Sequence, residues 1–575
     1  MNLNPVILEI LWSRLLSVCN EQQLTLMRTA FSTVVRESQD LACGVFDARG
    51  YMIAQSMTGT PGHINAMATG VRHFLEAYPP ETLEPGDVLL TNDPWQTAGQ
   101  VNDMTVLTPV FLKDAIVAYF ASTCHAPDIG GRMLSAEAHE VFEEGLRIPI
   151  TKLFLRGEPN VELIKIIRVN VRTPEETVGD LYAQMSSNAV AARSLLNLMA
   201  EFSMDSIGPL ADEIIARSEG ALRDAIAQLP NGRYENETWS DGFEEPVRIH
   251  AAVTVEDRDI YIDFAGSSPQ SSRGINVVLN YTQAYASFAI KAAISPEVPH
   301  NDGAFRPVHV SAPSGSILNC REPAAVASRH LIGHFVPGVI FGALAQAMPG
   351  RLMAGGSEPV WISLWRMQMA EQDAMEAASP ILLSHFQLGG AGARASKDGL
   401  STTGFPSGVG GVPVEVIESL TPLLQHHREL RMDSGGAGKF RGGLGQSTEM
   451  RCLSGKSWEV SAMVDRIQFP GSGLQGGEPG ACGEFKMNGE DMPAKSRLSL
   501  APAAQVQLNL PGGGGYGDPS ERAIDEVLND VVNGYVSLDA AKEKYKVAIR
   551  YVGREDQLVR LPEHYIIDPE GTVPR

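Results

Sequence analysis

The chain has 575 residues and a formal net charge of −22, with 43% hydrophobic and 20% charged residues. This length exceeds a single hydrophobic core, so roughly two to four domains or subdomains are expected, and the acidity excludes nucleic acid and anionic membranes as main partners. Six cysteines without a CxxC pair, no apolar run long enough to span a bilayer and no signal peptide predict a cytoplasmic protein.

Helical and strand patterns alternate in the first third of the sequence. Asn4 is suited to cap a helix that begins at Pro5. Residues 41–54 have the pattern of two short strands around a turn, and residues 66–78 are predicted to be helical. From residue 86 onward three β-type segments follow one another, with polar side chains at their ends.

The rest of the sequence predicts a helical hairpin followed by mixed and β-rich segments. Two helices are expected within residues 174–228, and strands return after the turn at Asn231–Gly232. Residues 335–354 have the composition of a buried helix. Residues 426–518 are predicted to be strands joined by glycine turns.

Together these patterns predict an α+β fold of several subdomains, with mixed sheets, flanking helices and a β-rich C-terminal part. We expect a helix-flanked β region at 1–175 that carries the candidate site. A helical hairpin with a mixed α/β middle is expected at 176–425, and a Gly-rich β domain with a C-terminal helix and tail at 426–575.

Motifs for nucleotide binding and for common hydrolase chemistry are missing from the sequence. The nearest glycine loop, GGAGK at 435–439, lacks the spacing of a phosphate-binding loop, and Phe440 stands where a Ser or Thr would hold magnesium. We interpret it as a tight turn in a β domain. Neither a GxSxG nor an HExxH motif occurs. The sequence therefore gives no support for ATP binding by this chain itself.

Polar side chains cluster after two of the predicted strands. Asp93 and Asp103 follow one strand, and His125 and Asp128 follow another. Strand ends on the same side of a sheet bring such segments together, so Asp103 and His125 are candidates to share one cation. Asp128 is a candidate acceptor for the imidazole N–H, and all four residues are candidate catalytic groups. The alternative is that the Asn92–Asp93–Pro94 segment is an ordinary turn and that His125 is a polar residue with its hydrogen bonds satisfied.

A series of motifs runs in order from residue 36 to residue 519. The series consists of RESQDLACGVFDARGYMIAQ (36–55), a loop with His63, an NDP segment (92–94) that leads to Asp103, CHAPDIGG (124–131), IDFAGSS (262–268), GINV (274–277), DSGGAGKFRGGLG (433–445) and PGGGGYGDP (511–519). Each motif is weak alone. In register, they make the chain similar to the hydantoinase B, oxoprolinase and acetone carboxylase large-subunit family.

The resemblance implies a metal site. Acetone carboxylase-like members hold a divalent metal, typically manganese, with a His, an Asp and a second His, and the matching positions here are Gln100, Asp103 and His125. Mn is therefore the expected ion, with Zn or Fe as alternatives. Gln100 replaces the first histidine, and an amide oxygen is a poorer ligand than imidazole for a transition metal. His63 or Cys124 are candidates to complete the set.

The resemblance also implies partners and a reaction. Such chains work with a hydantoinase A-type subunit that carries the ATPase fold, in hetero-oligomers such as α2β2, and that partner handles ATP, Mg and bicarbonate. The first hypothesis is ATP-dependent carboxylation of a ketone. The second is ATP-dependent hydrolysis of a cyclic amide such as a hydantoin, oxoproline or a lactam, and the third is a non-catalytic scaffold. In either reaction His125 is a base or a ligand, not both at once.

Structural roles are favoured for the remaining candidates. His330 and His334 have the i, i+4 spacing that lets two helical residues share a metal, but a helix start with one surface histidine is preferred. Cys124 is expected to be a buried small hydrophobic residue.

Overall fold

A computed structural model of the chain describes residues 4–368, 380–554, 559 and 561–572. The N-terminal region contains a seven-stranded antiparallel sheet. Its strands are β1 (Leu41–Asp47), β2 (Met52–Gln55), β3 (Val88–Thr91), β4 (Asp103–Leu112), β5 (Ala115–His125), β6 (Thr151–Leu155) and β7 (Glu158–Pro159), in the spatial order β2-β1-β5-β4-β3-β6-β7. The helices of this region are α1 (Pro5–Thr29), α2 (Thr33–Arg36), α3 (Pro61–Ala77), α4 (Val161–Asn170), α5 (Pro174–Glu201) and α6 (Gly208–Ile226).

Helices cover both faces of this sheet, which explains why every residue of β1 is buried. Successive side chains of a strand point to opposite faces. Val45 and Phe120 accordingly pack with α1, α5 and α6 on one face, and Phe46 and Tyr119 pack with α3 on the other. The site described below lies where β4 begins and β5 ends, beside the start of α3.

Several local predictions for this region are confirmed. The Asn4 side chain accepts a hydrogen bond from the Ile7 N–H over 2.9 Å and so caps α1. The strand pair predicted in residues 41–54 and the two helices predicted in residues 174–228 are present, with α5 packed against α1.

A second sheet of four strands follows. It comprises β8 (Gly232–Ser240), β9 (Val247–Glu256), β10 (Asp259–Asp263) and β11 (Val308–Ser311), in the order β11-β10-β9-β8, with β10 and β11 parallel. Three helices pack beside it: α7 (Leu279–Ile294), the single turn α8 (His330–Gly333) and α9 (Phe335–Leu344). The buried helix predicted for residues 335–354 is therefore present but ends at Leu344. Because α7 also packs along α3, it joins this sheet to the first one.

Two further sheets form the C-terminal part and enclose a common apolar core. Their strands are β12 (Trp361–Met367), β13 (Ile381–Gln387), β14 (Leu423–Leu430), β15 (Gln446–Cys452), β16 (Trp458–Met463), β17 (Glu484–Met487), β18 (Glu490–Asp491), β19 (Lys495–Leu500) and β20 (Gln505–Asn509). The third sheet of the chain has the order β13-β12-β16-β19, and the fourth has the order β14-β15-β20-β17-β18. The helix α10 (Val414–Leu420) precedes β14.

Three glycine-rich segments, 389–392, 434–445 and 511–515, lie side by side and form what we call the glycine layer. They belong to no named helix or strand. Their backbones are hydrogen-bonded to one another: the Gly443 N–H to the Ala391 carbonyl over 2.8 Å, the Gly513 N–H to the Gly443 carbonyl over 2.9 Å, and the Gly436 N–H to the Gly513 carbonyl over 2.8 Å. The expectation of turns between strands is wrong for 434–445 and 511–515, because the lack of side chains there serves close backbone packing instead.

The chain continues with α11 (Ile524–Val532), α12 (Leu538–Glu543) and a hairpin of β21 (Ile549–Tyr551) and β22 (Tyr565–Ile567). No helix in the described part of the chain has both the length and the apolar character needed to span a bilayer. The expected α+β fold with several mixed sheets is confirmed, and the divisions at residues 175 and 425 stay predictions.

Candidate active site

Asp103 and His125 face each other across two neighbouring strands of the first sheet. Asp103 is the first residue of β4, His125 is the last residue of β5, and the two are direct register partners. Oδ1 of Asp103 lies 3.1 Å from Nδ1 of His125, and both side chains are buried. The prediction that the strand ends bring these two residues together is confirmed.

A second histidine and a second carboxylate adjoin this pair. His63 lies in the first turn of α3, with its Nε2 atom 3.1 Å from Oδ2 of Asp103. Asp40, directly before β1, places Oδ1 3.6 Å from Nδ1 of His63 and Oδ2 4.0 Å from Nδ1 of His125. The Thr60 hydroxyl donates to Asp40 over 2.8 Å. Two carboxylates and two imidazoles therefore form one buried group, which we call the Asp103 cluster.

Arg329 brings a permanent positive charge into the Asp103 cluster. Its guanidinium donates from Nη2 to Asp103, from Nη1 to Gln100, and from Nε to the Ala98 carbonyl, the last over 2.7 Å. The guanidinium also lies over the Tyr281 ring, 4.2 Å from its centre. A buried charge needs such partners, and here a carboxylate, an amide, a carbonyl and a ring face supply them.

These charges fix the protonation of Asp103. Burial raises the pKa of its carboxyl, but the Arg329 and His63 charges and the hydrogen bonds from both histidines outweigh burial and hold the pKa well below its ordinary range. Burial lowers the pKa of His63, and the carboxylates of Asp103 and Asp40 outweigh that effect, so the His63 pKa is raised. Asp103 is thus an ionised acceptor. In the neutral ring of His125 this places the proton on Nδ1 and leaves the lone pair on Nε2.

His330 and His334 border the same cluster, which corrects the surface position favoured from the sequence. Each residue is 4% exposed, because α8 is a single turn covered by α7 and by the third sheet. Burial, then the charges of Arg329 and His63, lower the pKa of His334 to about 3. Burial, then His334 and Arg329, hold the pKa of His330 well below its ordinary value. Both rings are therefore neutral at physiological pH.

A cavity of about 30 Å³ adjoins the cluster. That volume is enough for one water molecule. Nε2 of His125 and Nε2 of His330 are buried and have no hydrogen-bond partner within the described residues, and both residues line the cavity. The wall of the cavity also includes Val360, Ile362, Phe386, Ser407 and Val409.

Asp93 and Asp128 lie outside the Asp103 cluster, in ion pairs of their own. Arg147 contacts the Asp93 carboxylate through Nη2 at 2.6 Å, at the edge of a separate cavity of about 620 Å³. Arg172 holds Asp128 through Nη1 at 2.7 Å and through its backbone N–H. The prediction that Asp128 accepts the His125 N–H is wrong, because strand register gives that place to Asp103 and Arg172 takes the Asp128 carboxylate.

Cys124 precedes His125 but belongs to an apolar cluster. Its burial raises the pKa of the thiol well above the ordinary value. The prediction of a buried small hydrophobic residue is therefore confirmed.

Two of the three residues expected to hold a metal, Gln100 and Asp103, accept hydrogen bonds from the Arg329 guanidinium instead. Oε1 of Gln100 accepts from Arg329, and Nε2 of Gln100 donates to the Ala327 carbonyl over 2.5 Å. Both carboxylate oxygens of Asp103 already accept from imidazole or guanidinium N–H groups. Within the described ranges no group of three or more His, Cys, Asp or Glu side chains is arranged to hold a metal ion. With Arg329 in place, this donor set does not fit a divalent ion.

Sequence reasoning did not assign Asp40 or Arg329 to the site. Asp40 stands in the RESQD segment (36–40), and Arg329 directly precedes His330 in SRHLIGH. A signal was present in each case, because a carboxylate before a buried strand and an arginine inside a mostly apolar stretch both need buried partners. Nothing in the spacing shows which partners they find.

The sequence matches the family model of hydantoinase B/oxoprolinase over residues 4–519. The beta chain of the caprolactamase of Pseudomonas jessenii is 30% identical, with 96% of this chain and 98% of that protein covered. A D-/L-hydantoinase component of the hydantoinase B type from Pseudomonas sp. (strain NS671) is 29% identical, with 95% of each chain covered.

Two solved structures have the same overall fold. The ATP-dependent caprolactamase from Pseudomonas jessenii has a TM-score of 0.87 at 27% identity, covering 97% of this chain and 99% of that chain. Acetone carboxylase in its nucleotide-free form has a TM-score of 0.87 at 19% identity, covering 99% of this chain and 82% of that chain, which is a likeness of fold. The family expected from the motifs is confirmed: the chain belongs to the hydantoinase B/oxoprolinase family.

Proposed function

We propose that this chain is the hydrolytic subunit of a cytoplasmic, ATP-dependent enzyme that opens a cyclic amide. One observation carries the proposal. The ionised Asp103 orients the His125 ring through Nδ1, and Nε2 of the same ring has no hydrogen-bond partner among the described residues. His125 also lines a cavity large enough for one water molecule. An imidazole held by a buried carboxylate on one nitrogen and free on the other is the usual arrangement of a general base.

The proposed step begins with water in that cavity. Phosphorylation of the amide oxygen by the partner removes the N–H proton and leaves an imidate. His125 Nε2 takes a proton from the water as the water oxygen bonds to the imidate carbon, and returns this proton to the ring nitrogen. The proton of the new hydroxyl then passes to the same nitrogen as the C–N bond breaks, so an amine and an acyl phosphate remain. A second water releases phosphate and the carboxylate. Asp103 stabilises the imidazolium that forms between the two proton transfers.

Ring substrates need more room than the cavity provides. Small-molecule sites usually measure roughly 300 Å³ or more, and the cavity is about 30 Å³. The wall formed by Phe386, Ser407 and Val409 must therefore move when a ring enters and close again around the reacting carbon. Closure excludes bulk water and so protects an activated intermediate.

A hydantoinase A-type ATPase subunit is the proposed partner. The chain lacks a phosphate-binding loop of its own, and the relatives from Pseudomonas are each described as one subunit of a larger enzyme. A hetero-oligomer such as α2β2 would bring the partner's activated substrate to the Asp103 cluster.

Ketone carboxylation, the first hypothesis from the sequence, stays a prediction and ranks second here. Relatives described as components of a caprolactamase and a hydantoinase are covered over nearly their whole length, whereas the likeness to acetone carboxylase is one of fold. A base beside a water-sized cavity also favours hydrolysis. The scaffold hypothesis ranks third, because a decayed site would have no reason to keep His125 oriented and buried.

The test uses the chain co-purified with its ATPase partner. The complex is supplied with ATP and with hydantoin, 5-oxoproline or caprolactam, and ring opening is followed by chromatography, in parallel with incorporation of labelled bicarbonate into acetone or acetophenone. We expect ATP-dependent ring opening that falls about 100-fold or more in His125→Asn. The exposed His426→Ala is the matched control and should keep full activity.

Two results would overturn the proposal. Bicarbonate fixation into a ketone without ring opening would make the chain a carboxylase component. Ring opening that is unchanged in His125→Asn would remove the base from the mechanism and return the chain to the scaffold hypothesis.

A further inference from the structure

Arg329 is fixed in the Asp103 cluster by its surroundings on two sides. Gly99 has φ +84°, and a Cβ there would lie 3.0 Å from Cδ of Arg329 and 2.9 Å from Cγ2 of Val278, so glycine leaves the room through which the arginine passes. The chain segment before Arg329 is held by Glu144, whose Oε1 accepts from the N–H groups of Val326 and Ala327 over 2.6 and 2.7 Å. Packing against Gly99 and the backbone hydrogen bonds to Glu144 thus fix the position of the Arg329 side chain.

Gln100 is matched to this arginine. Its Oε1 accepts from the guanidinium while its Nε2 donates to the Ala327 carbonyl, so both ends of one amide are used. An imidazole offers one protonated and one bare nitrogen and cannot reproduce both bonds in the same geometry. Glutamine at position 100 and arginine at position 329 therefore form a complementary pair.

A divalent ion on the same oxygens would lie within a few ångströms of the guanidinium in a buried setting. Like charges at that separation repel strongly when water is excluded. Asp103 also accepts from the guanidinium and from both neighbouring histidines, which leaves little lone-pair capacity. The guanidinium and a metal ion are therefore alternatives at this position.

We propose that Arg329 is the resident cation of this site, so that the chain needs no divalent metal there, and that its guanidinium also binds the negative oxygen that develops on the substrate. A guanidinium has five N–H donors, and the contacts to Ala98, Gln100 and Asp103 use three of them. Arg329 lines the cavity. The proposal that Arg329 takes the place of a metal does not depend on the proposed function. The proposal that Arg329 binds the substrate oxygen rests on it.

The metal half is tested by elemental mass spectrometry of the purified chain. Protein is produced in medium supplemented with Mn, Fe and Zn and dialysed against metal-free buffer. We expect well under one ion per wild-type chain, and about one per chain in the double variant Gln100→His/Arg329→Ala, with a rise in Tm on adding that ion. Gln100→His alone should stay metal-poor, because Arg329 still fills the position.

The matched control is Gln100→His/Arg466→Ala. Arg466 is also a buried arginine, paired with Glu358 and lying 4.4 Å from the centre of the Phe335 ring, so its loss tests for a general effect of removing such a residue. The control should gain no metal. About one tightly held ion per wild-type chain, or a double variant that folds and gains none, would overturn the metal half of the proposal.

The oxygen half is tested in the assembled complex with Arg329→Lys, which keeps the charge but loses the planar fork. We expect kcat to fall about tenfold or more with a smaller change in KM, while Arg466→Lys keeps both constants. Wild-type kcat in Arg329→Lys would overturn this half. A complex that opens no cyclic amide would instead reject the proposed function and leave the metal measurement standing.

Discussion

The Asp103 cluster and the glycine layer are both buried, yet they are packed by opposite means. In the cluster, side chains from α3, β4, β5 and the segment before α8 meet and neutralise one another. In the glycine layer, backbones approach so closely that a Cβ on Gly390 would overlap the Gly443 carbonyl oxygen. The cluster should therefore tolerate changes of shape better than changes of charge, and the layer should tolerate no added volume at all.

The largest effect is expected from adding one methyl group to the layer. A Cβ at Gly513 would overlap the carbonyl oxygen of Ala391, which is backbone and cannot rotate away. Gly513→Ala should lower the free energy of unfolding by about 4 kcal/mol or more, or prevent folding. Denaturant unfolding followed by circular dichroism measures it.

The matched control is the same substitution in a helix. Gly220 lies in α6, and a Cβ there would meet nothing within 4 Å. Gly220→Ala should raise stability by roughly 0.5–1 kcal/mol, because alanine has the better helix propensity. Equal losses in both variants would contradict the idea that backbone contact makes the layer sensitive.

A smaller but still large loss of unfolding free energy is expected when a charge in the Asp103 cluster is removed and the side-chain volume is kept. Asp103→Asn keeps the side-chain shape but leaves the buried Arg329 and His63 without their shared carboxylate. We expect a loss of about 3–5 kcal/mol, measured by urea denaturation. Asp114→Asn is the control, since Asp114 is exposed in the turn at the other end of the β4–β5 pair. If Asp103→Asn were as stable as this control, the cluster would not depend on charge.

The last effect, given per pH unit, is a pH dependence carried by Glu144, which supports the segment before Arg329. Burial raises the pKa of Glu144 to about 8, against the backbone hydrogen bonds from Ala327 and Val326. Because the folded pKa lies above the unfolded one, the folded chain holds a proton that the unfolded chain has lost. Stability from this group is therefore full below about pH 4.5 and falls as pH rises to about 8, by at most about 1.4 kcal/mol per unit.

Glu144→Gln keeps the carbonyl oxygen that accepts these backbone bonds but cannot titrate. The Tm of this variant minus that of the wild type should grow between pH 5.5 and pH 8. A difference that stays constant or shrinks over this range would show that Glu144 is already ionised in the folded chain.

Local order along the sequence was enough to predict part of this structure. The Asn4 cap, the strand pair from 41 to 54 and the contact of Asp103 with His125 all follow from periodicity and from residues close in sequence. The contact is predictable because β4 and β5 are consecutive and joined by a short turn, so their register places the two ends together.

The rest of the site depends on contacts between residues that are far apart in the sequence, and these contacts cannot be predicted from composition or local pattern. Arg329 reaches Asp103 across 226 positions, and His330 and His334 are buried only because α7 and the third sheet close over α8. The close backbone packing of the glycine layer is not predictable from the sequence for the same reason. A glycine in a sequence shows that a side chain is absent, but not which backbone will occupy the space.

The wall of the small cavity also determines when during synthesis the site comes into being. Asp40 leaves the ribosome early, whereas Ser407 and Val409, which close the cavity, and Gly410, which donates to the Ser38 carbonyl over 2.8 Å, follow after well over half the chain. At roughly 5–20 residues per second this interval is on the order of half a minute. A nascent or truncated chain that ends before residue 407 thus carries the acidic and imidazole groups without this part of the wall, and the complete cavity forms only after residue 409 has been made.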